Sequence, residues 1–140
     1  METILVTGGA GFIGANFVRY ALRCTEARLV VFDKVTYAGS LLNLAEVAQD
    51  SRCAFIRGDI CDPTSIRHVL EEFRPTSIVH LAAETHVDRS IDGPHNFLDT
   101  NVVGTCDLLE AALAYYWALE ENRGSFRFLH VSTDEVYGTL

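Results

Sequence analysis

Cations are scarce in this 140-residue chain: eleven Lys and Arg stand against nineteen Asp and Glu, a formal net charge of −8. That balance argues against a nucleic-acid backbone or an anionic membrane as partner. No apolar run approaches the roughly 18 residues that a membrane span needs. The start, Met1-Glu2-Thr3-Ile4-Leu5-Val6, offers neither a basic n-region nor a long apolar h-region, so no export signal is expected. Cysteine is sparse too. Cys24, Cys53, Cys61 and Cys106 form no CxxC pair, and without export a disulfide framework is not expected. They read as small buried hydrophobes in a cytoplasmic protein with reduced thiols. The five histidines and the acids show no H-E-x-x-H spacing, so no metal is expected. Repeats and low-complexity tracts are absent as well. What is present is ordinary globular composition, 49% hydrophobic and 21% charged, which excludes a disordered tail. The length suits one domain, able to bury about two-thirds of its unfolded surface.

Short β-branched runs alternate with longer helical stretches. Strands are expected at 3–7, 28–33, 53–57, 77–81 and 126–131, nearly continuous apolar runs that suit strands buried on both faces of a parallel sheet. A helix is expected over 13–24, after a glycine turn. A second opens at Asp62-Pro63, an N-cap followed by proline at the first helical position, and stops before Pro75. A long third helix is expected over 95–122, after Pro94 and closed by Gly124. Strand–helix–strand alternation predicts an α/β fold, a three-layer doubly wound parallel sheet of about five strands with right-handed crossovers. One domain, 1–140, is expected. His80 and His130 fall in the strands and read as satisfied sheet histidines; Tyr115, Tyr116 and Trp117 read as packing residues of the long helix.

Thr7-Gly8-Gly9-Ala10-Gly11-Phe12-Ile13-Gly14 lies between the first strand and the first helix. It satisfies both G-x-G-x-x-G and G-x-x-G-x-x-G. A pyrophosphate at this turn meets backbone N–H groups and the positive end of a helix dipole, and glycine is required because a Cβ would block that approach. Asp33 ends the second strand 19 residues beyond Gly14. A carboxylate there accepts from the adenosine ribose hydroxyls and repels a 2′-phosphate, favouring NAD over NADP. Lys34 beside it is a complication, since a cation tolerates phosphate. The bland alternative is a tight turn with a capping acid and no ligand.

Thr7 to Gly14 resembles the Thr-Gly-x-x-Gly-x-x-Gly turn of the extended short-chain dehydrogenase/reductases, the NAD-dependent epimerase/dehydratase group, whose fold is of the Rossmann type. Four further stretches resemble the dTDP-glucose 4,6-dehydratases within it: 33–39 (Asp-Lys-Val-Thr-Tyr-Ala-Gly), 58–60 (Gly-Asp-Ile), 80–90 (His-Leu-Ala-Ala-Glu-Thr-His-Val-Asp-Arg-Ser) and 132–138 (Ser-Thr-Asp-Glu-Val-Tyr-Gly). The last discriminates most, because related epimerases usually lack the consecutive Asp-Glu. The resemblance implies a nucleotide-sugar lyase of deoxysugar biosynthesis with NAD as cofactor. NAD contacts are implied for Gly8, Gly11, Phe12, Ile13 and Gly14 at the turn, and for Asp33, Lys34, Val35 and Thr36 after the second strand. Asp59 and Ile60 are implied at the adenine. Leu81, Ala82, Ala83, Glu84 and Thr85 are implied along the dinucleotide, with Thr85 also reaching the sugar and Thr100 the nicotinamide side. His86, Asp88 and Arg89 equally suit a salt-bridged turn.

For catalysis the resemblance implies Thr133, Asp134 and Glu135. Hydride leaves C4 of the glucosyl ring for NAD, which acidifies the C5 proton of the 4-keto sugar. Glu135 then takes that proton, Asp134 protonates the departing C6 hydroxyl, and hydride returns to C6; Thr133 hydrogen-bonds near O4 and contacts substrate. Adjacent carboxylates at one site suit this division, since their protonation must differ. The family's Tyr-x-x-x-Lys pair has no counterpart up to Leu140, and Tyr137 does not replace it. The chain therefore reads as the N-terminal, cofactor-binding part of such an enzyme, without its substrate lobe and inactive alone. The alternatives are another nucleotide-sugar epimerase or dehydratase, or an NAD-binding module without catalysis. Apolar residues round more than one face of 95–122 predict a homodimer surface there.

Overall fold

Aliphatic and β-branched runs form five strands, β1 (Thr3–Thr7), β2 (Arg28–Asp33), β3 (Cys53–Arg57), β4 (Ser77–His80) and β5 (Arg127–His130). The structure, a computed structural model, describes residues 1–36, 39–85 and 94–138, with the side chain of Glu135 excluded. All pairings are parallel, in the order β3-β2-β1-β4-β5. β4 and β5 end slightly earlier than the apolar runs: Leu81 N donates to Thr7 O and Val131 N to His80 O, after which the chain leaves the sheet. β5 also begins at Arg127, one residue later than expected.

The sheet buries both faces, as unalternated apolar strands require. On one side Val6, Leu29 and Val31 pack with Ala15, Val18, Ala21 and Leu22 of α1 (Phe12–Cys24). On the other, Leu5, Val30, Phe32 and Ile78 meet Ile66, Val69 and Leu70 of α2 (Pro63–Phe73). Leu108, Ala111 and Ala112 complete that layer. The result is the expected three-layer doubly wound architecture. α2 has its expected bounds: Asp62 accepts from Thr64 N at its start, and Arg74, left-handed at φ 46°, ends it.

The stretch 95–122 is not one helix. It consists of α3 (Pro94–Phe97), a π-helical turn Leu98–Gly104, α4 (Thr105–Ala118) and a 3-10 turn Glu120–Ser125. Glu120 turns left-handed at φ 49° and ends α4 well before Gly124, which lies inside the 3-10 turn. Another short 3-10 helix, Leu41–Val47, was not expected; it is initiated by Ser40, whose side chain accepts from Leu42 N.

Three packing expectations need correction. None of the four cysteines is buried; Cys24 and Cys106 are exposed, Cys53 and Cys61 half-buried, all free. Burial, the leading cause in each, pushes the Cys53 and Cys61 thiols up. Trp117 is 57% exposed, since its position on α4 faces away from the sheet; it stacks with Arg123 at 5.0 Å. Tyr115 and Tyr116 do pack, against Phe126. His80 is a satisfied buried histidine, but His130 lies exposed on the edge strand, stacked on His80 at 5.0 Å.

Candidate functional site

β1 delivers the glycine turn to the carboxyl edge of the sheet, at the point where chain order switches from β1–β2 to β1–β4, the usual ligand crevice of such folds. Gly8 adopts φ +70°, and a Cβ there would lie 2.6 Å from Ala82 N. At Gly14 a Cβ would collide with the Gly8 carbonyl. Both positions therefore require glycine: one for its backbone angle and the closeness of the 81–82 chain, the other to let α1 start against the turn. The N-cap of α1 is Gly11, with no side-chain cap and no acid in the first turn. Helices leave their first N–H groups unpaired, so this end presents amide donors and a positive dipole to an anion.

Asp33 sits opposite. Its Oδ2 accepts from Ala10 N at 2.9 Å and its Oδ1 from Val35 N at 2.7 Å. Each carboxylate oxygen has a second lone pair, which leaves Asp33 able to accept from ligand hydroxyls. Ser40 N and Asn43 Nδ2 both donate to Ala10 O, at 3.1 and 2.8 Å, bracing the glycine turn from behind.

Between these groups lies a cavity of about 330 Å³. Gly8, Gly11, Phe12, Ile13 and Gly14 form one wall; Asp33, Lys34 and Thr36 the second; Asp59 and Ile60 the third; Leu81, Ala82, Ala83, Glu84, Thr85 and Thr100 close it. Every residue singled out for the cofactor thus lines one cavity except Val35, which packs against the α1 side of the core. Phe32, Gly39 and Gly58 also line it. Gly58 was legible only as part of the Gly-Asp-Ile stretch; a Cβ on it would strike the Phe32 ring.

Lys34 reaches into the cavity. Its Nζ lies 3.6 Å from Asp59 Oδ2, 3.9 Å from Glu84 Oε1 and 3.3 Å from Thr100 Oγ1. Asn101, which no sequence signal marked, brackets the same wall: Glu84 N donates to its Oδ1 at 2.8 Å, and its Nδ2 donates to Glu84 O at 2.9 Å. The π-helical turn presents Thr100 and Asn101 together. Below the cavity, Thr7 Oγ1 and His80 Nδ1 are 2.6 Å apart and His80 Nε2 is 3.0 Å from Thr105 Oγ1. Burial, with His130 contributing, pushes the His80 imidazole down to about 4. It is therefore neutral near pH 7 and ties β1, β4 and α4 together.

Thr133 and Asp134 lie past β5 on the same edge of the sheet, but both are exposed and neither lines the cavity. Thr133 Oγ1 donates to Asp134 Oδ1 at 3.3 Å, and Asp134 opens a 3-10 turn, Asp134–Tyr137. The Glu135 side chain and Tyr37, Ala38, His86, Asp88 and Arg89 lie outside the described residues. Among the described residues no group of three or more His, Cys, Asp or Glu could hold a metal ion, and no helix is long and apolar enough to cross a membrane.

A family model described as GDP-mannose 4,6 dehydratase matches residues 5–140. A dTDP-glucose 4,6-dehydratase of Escherichia coli is 53% identical over 138 residues, 98% of this chain and 38% of that protein. Among solved structures, DesIV, the dTDP-glucose 4,6-dehydratase of Streptomyces venezuelae with NAD bound, superposes with a TM-score of 0.86 and 45% identity, over 99% of this chain and 42% of the other. The Bacillus anthracis dTDP-glucose 4,6-dehydratase in complex with NAD gives a TM-score of 0.83 and 40% identity, over 100% and 40%. The chain thus spans about two-fifths of the length of the relatives it matches.

Proposed function

The chain belongs to the GDP-mannose 4,6-dehydratase family, and from that membership we propose that it is the cofactor-binding part of a dTDP-glucose 4,6-dehydratase. The single observation that carries the cofactor reading is the pairing of an uncapped glycine-turned helix end with Asp33 across one cavity. The donor set fits a dinucleotide. Amides of the turn would hold its pyrophosphate, Gly8 and Gly14 leave space that a side chain would fill, and Asp33 retains lone pairs for ribose hydroxyls. Asp59, which lines the same cavity, would accept from an adenine amino group. NAD, when bound, supplies the hydride acceptor for C4 of the sugar and the donor for C6.

This chain's own acids divide the proton work. Glu135 removes the C5 proton and Asp134 protonates the departing C6 oxygen, so that water leaves, while Thr133 hydrogen-bonds near O4 and Thr85 contacts the sugar. A base and an acid side by side need unequal environments. The exposure of Thr133 and Asp134 leaves them open to substrate. We also infer a cytoplasmic location and a homodimer through 95–122, the latter supported by exposed Leu109, Leu113 and Trp117. The epimerase alternative lacks support from the Asp134-Glu135 pair.

The test is Glu135→Gln in the natural polypeptide that carries these residues, supplied with dTDP-glucose. Removing a positioned base typically slows its step by about 10²–10⁴. Solvent-deuterium exchange at C5 should therefore be lost while oxidation at C4 survives. C5 exchange at the wild-type rate overturns the assignment.

A further inference from the structure

Lys34 follows Asp33 directly, the place where a cation accommodates the 2′-phosphate of NADP in dinucleotide folds. Its ammonium is committed elsewhere. It sits between the carboxylates of Asp59 and Glu84, 3.6 and 3.9 Å away, and 3.3 Å from the Thr100 hydroxyl. The Glu84 side chain is only 11% exposed, and Asn101 fixes its backbone with two hydrogen bonds, so the carboxylate is carried beside the lysine on an anchored stretch of chain. Two carboxylates thus flank one cation at short range, and partial burial limits screening by salt.

We propose that Glu84 is a specificity-determining residue: with Asp59 it holds the Lys34 ammonium neutralised, so that NAD is accepted and the 2′-phosphorylated cofactor refused. This rests on the NAD reading above and extends it, because Asp33 alone leaves a neighbouring cation that would tolerate phosphate. Glu84 acts through Lys34.

The experiment is calorimetry of NAD and NADP with the natural polypeptide and four variants: Glu84→Gln, Asp59→Asn, Lys34→Gln, and Lys34→Gln combined with Glu84→Gln. Glu84→Gln keeps the shape and the Asn101 bracket while removing the charge. NADP affinity relative to NAD should rise by roughly twofold to fivefold, the range of a partly exposed ion pair. The double variant should lose that gain. Asp59→Asn should shift the ratio in the same direction, a second route if Glu84→Gln does not fold. A purely structural Glu84 would weaken both cofactors together and leave the ratio fixed, which overturns the proposal. A gain that persists without Lys34 also overturns it, by assigning the phosphate to another cation such as Arg57, which neighbours Asp33 in the β2–β3 register. A wild type that binds neither dinucleotide overturns the NAD reading and this inference with it.

Discussion

His80 carries the clearest pH consequence at the scale of single residues. Its folded-state pKa, about 4, lies below the ordinary 6.5, chiefly because burial disfavours the charged imidazolium. Between those values the unfolded chain binds a proton that the folded chain refuses, so stability falls as pH drops from about 6.5 to 4 and is insensitive to this group above that window. A difference of this size corresponds to at most roughly 3–4 kcal/mol. Thermal unfolding at pH 7.5, 6, 5 and 4.5 should show the decline. His80→Gln should start from a lower melting temperature, having lost the fit to Thr7 and Thr105, yet decline less steeply. Equal slopes for the two proteins would remove His80 as the cause. Residues of this kind were only half legible: a histidine in an apolar strand predicts a buried, bonded group, but the sequence does not give its partners Thr7 and Thr105, which lie 73 and 25 positions away.

Among elements, α2 and the 95–122 stretch show why some boundaries are written locally and others are not. Asp62 caps α2 through Thr64 N and also accepts from Ser65 Oγ at 2.6 Å, while Pro63 occupies the first turn. Every signal lies within four residues, so the bounds were readable. Asp62→Ala should cost about 1 kcal/mol, a drop of a few degrees in thermal unfolding, with no change in dinucleotide affinity. An unchanged melting temperature would show that water replaces the cap. In the 95–122 stretch the decisive contacts are distant. A Cβ on Gly104 would lie 2.9 Å from Ile60, and Asn101 holds Glu84 across 17 positions. Helical periodicity carries no record of these, so a π-helical turn and an early end at Glu120 went unseen. The site divides in the same way. The glycine turn and Asp33 announce themselves by local chemistry and spacing. The role of Lys34, by contrast, depends on carboxylates 25 and 50 positions further along the chain.

At the scale of the whole molecule, one flank of α4 is spent on the core and the other is not. Leu108, Ala111 and Ala112 are buried, whereas Leu109, Leu113 and Trp117 stand 46%, 56% and 57% exposed. The latter three recur every fourth residue and therefore share one stripe of the helix. Leu98, Val102 and Val103 of the π-helical turn, also exposed, extend the apolar surface. Exposed apolar residues of this kind are what an interaction surface would present, and a twofold homodimer would bury the same stripe on both copies. The net charge of −8 opposes association only weakly at physiological salt, where charges beyond about 8 Å are screened. Light scattering of the 140-residue chain should accordingly show a mass above the 15.5 kDa of one copy at high protein concentration. Leu113→Glu combined with Trp117→Glu, both at exposed positions, should return it to the monomer without lowering the melting temperature of the single copy. A wild-type chain that stays monomeric at every concentration would refute the assembly surface.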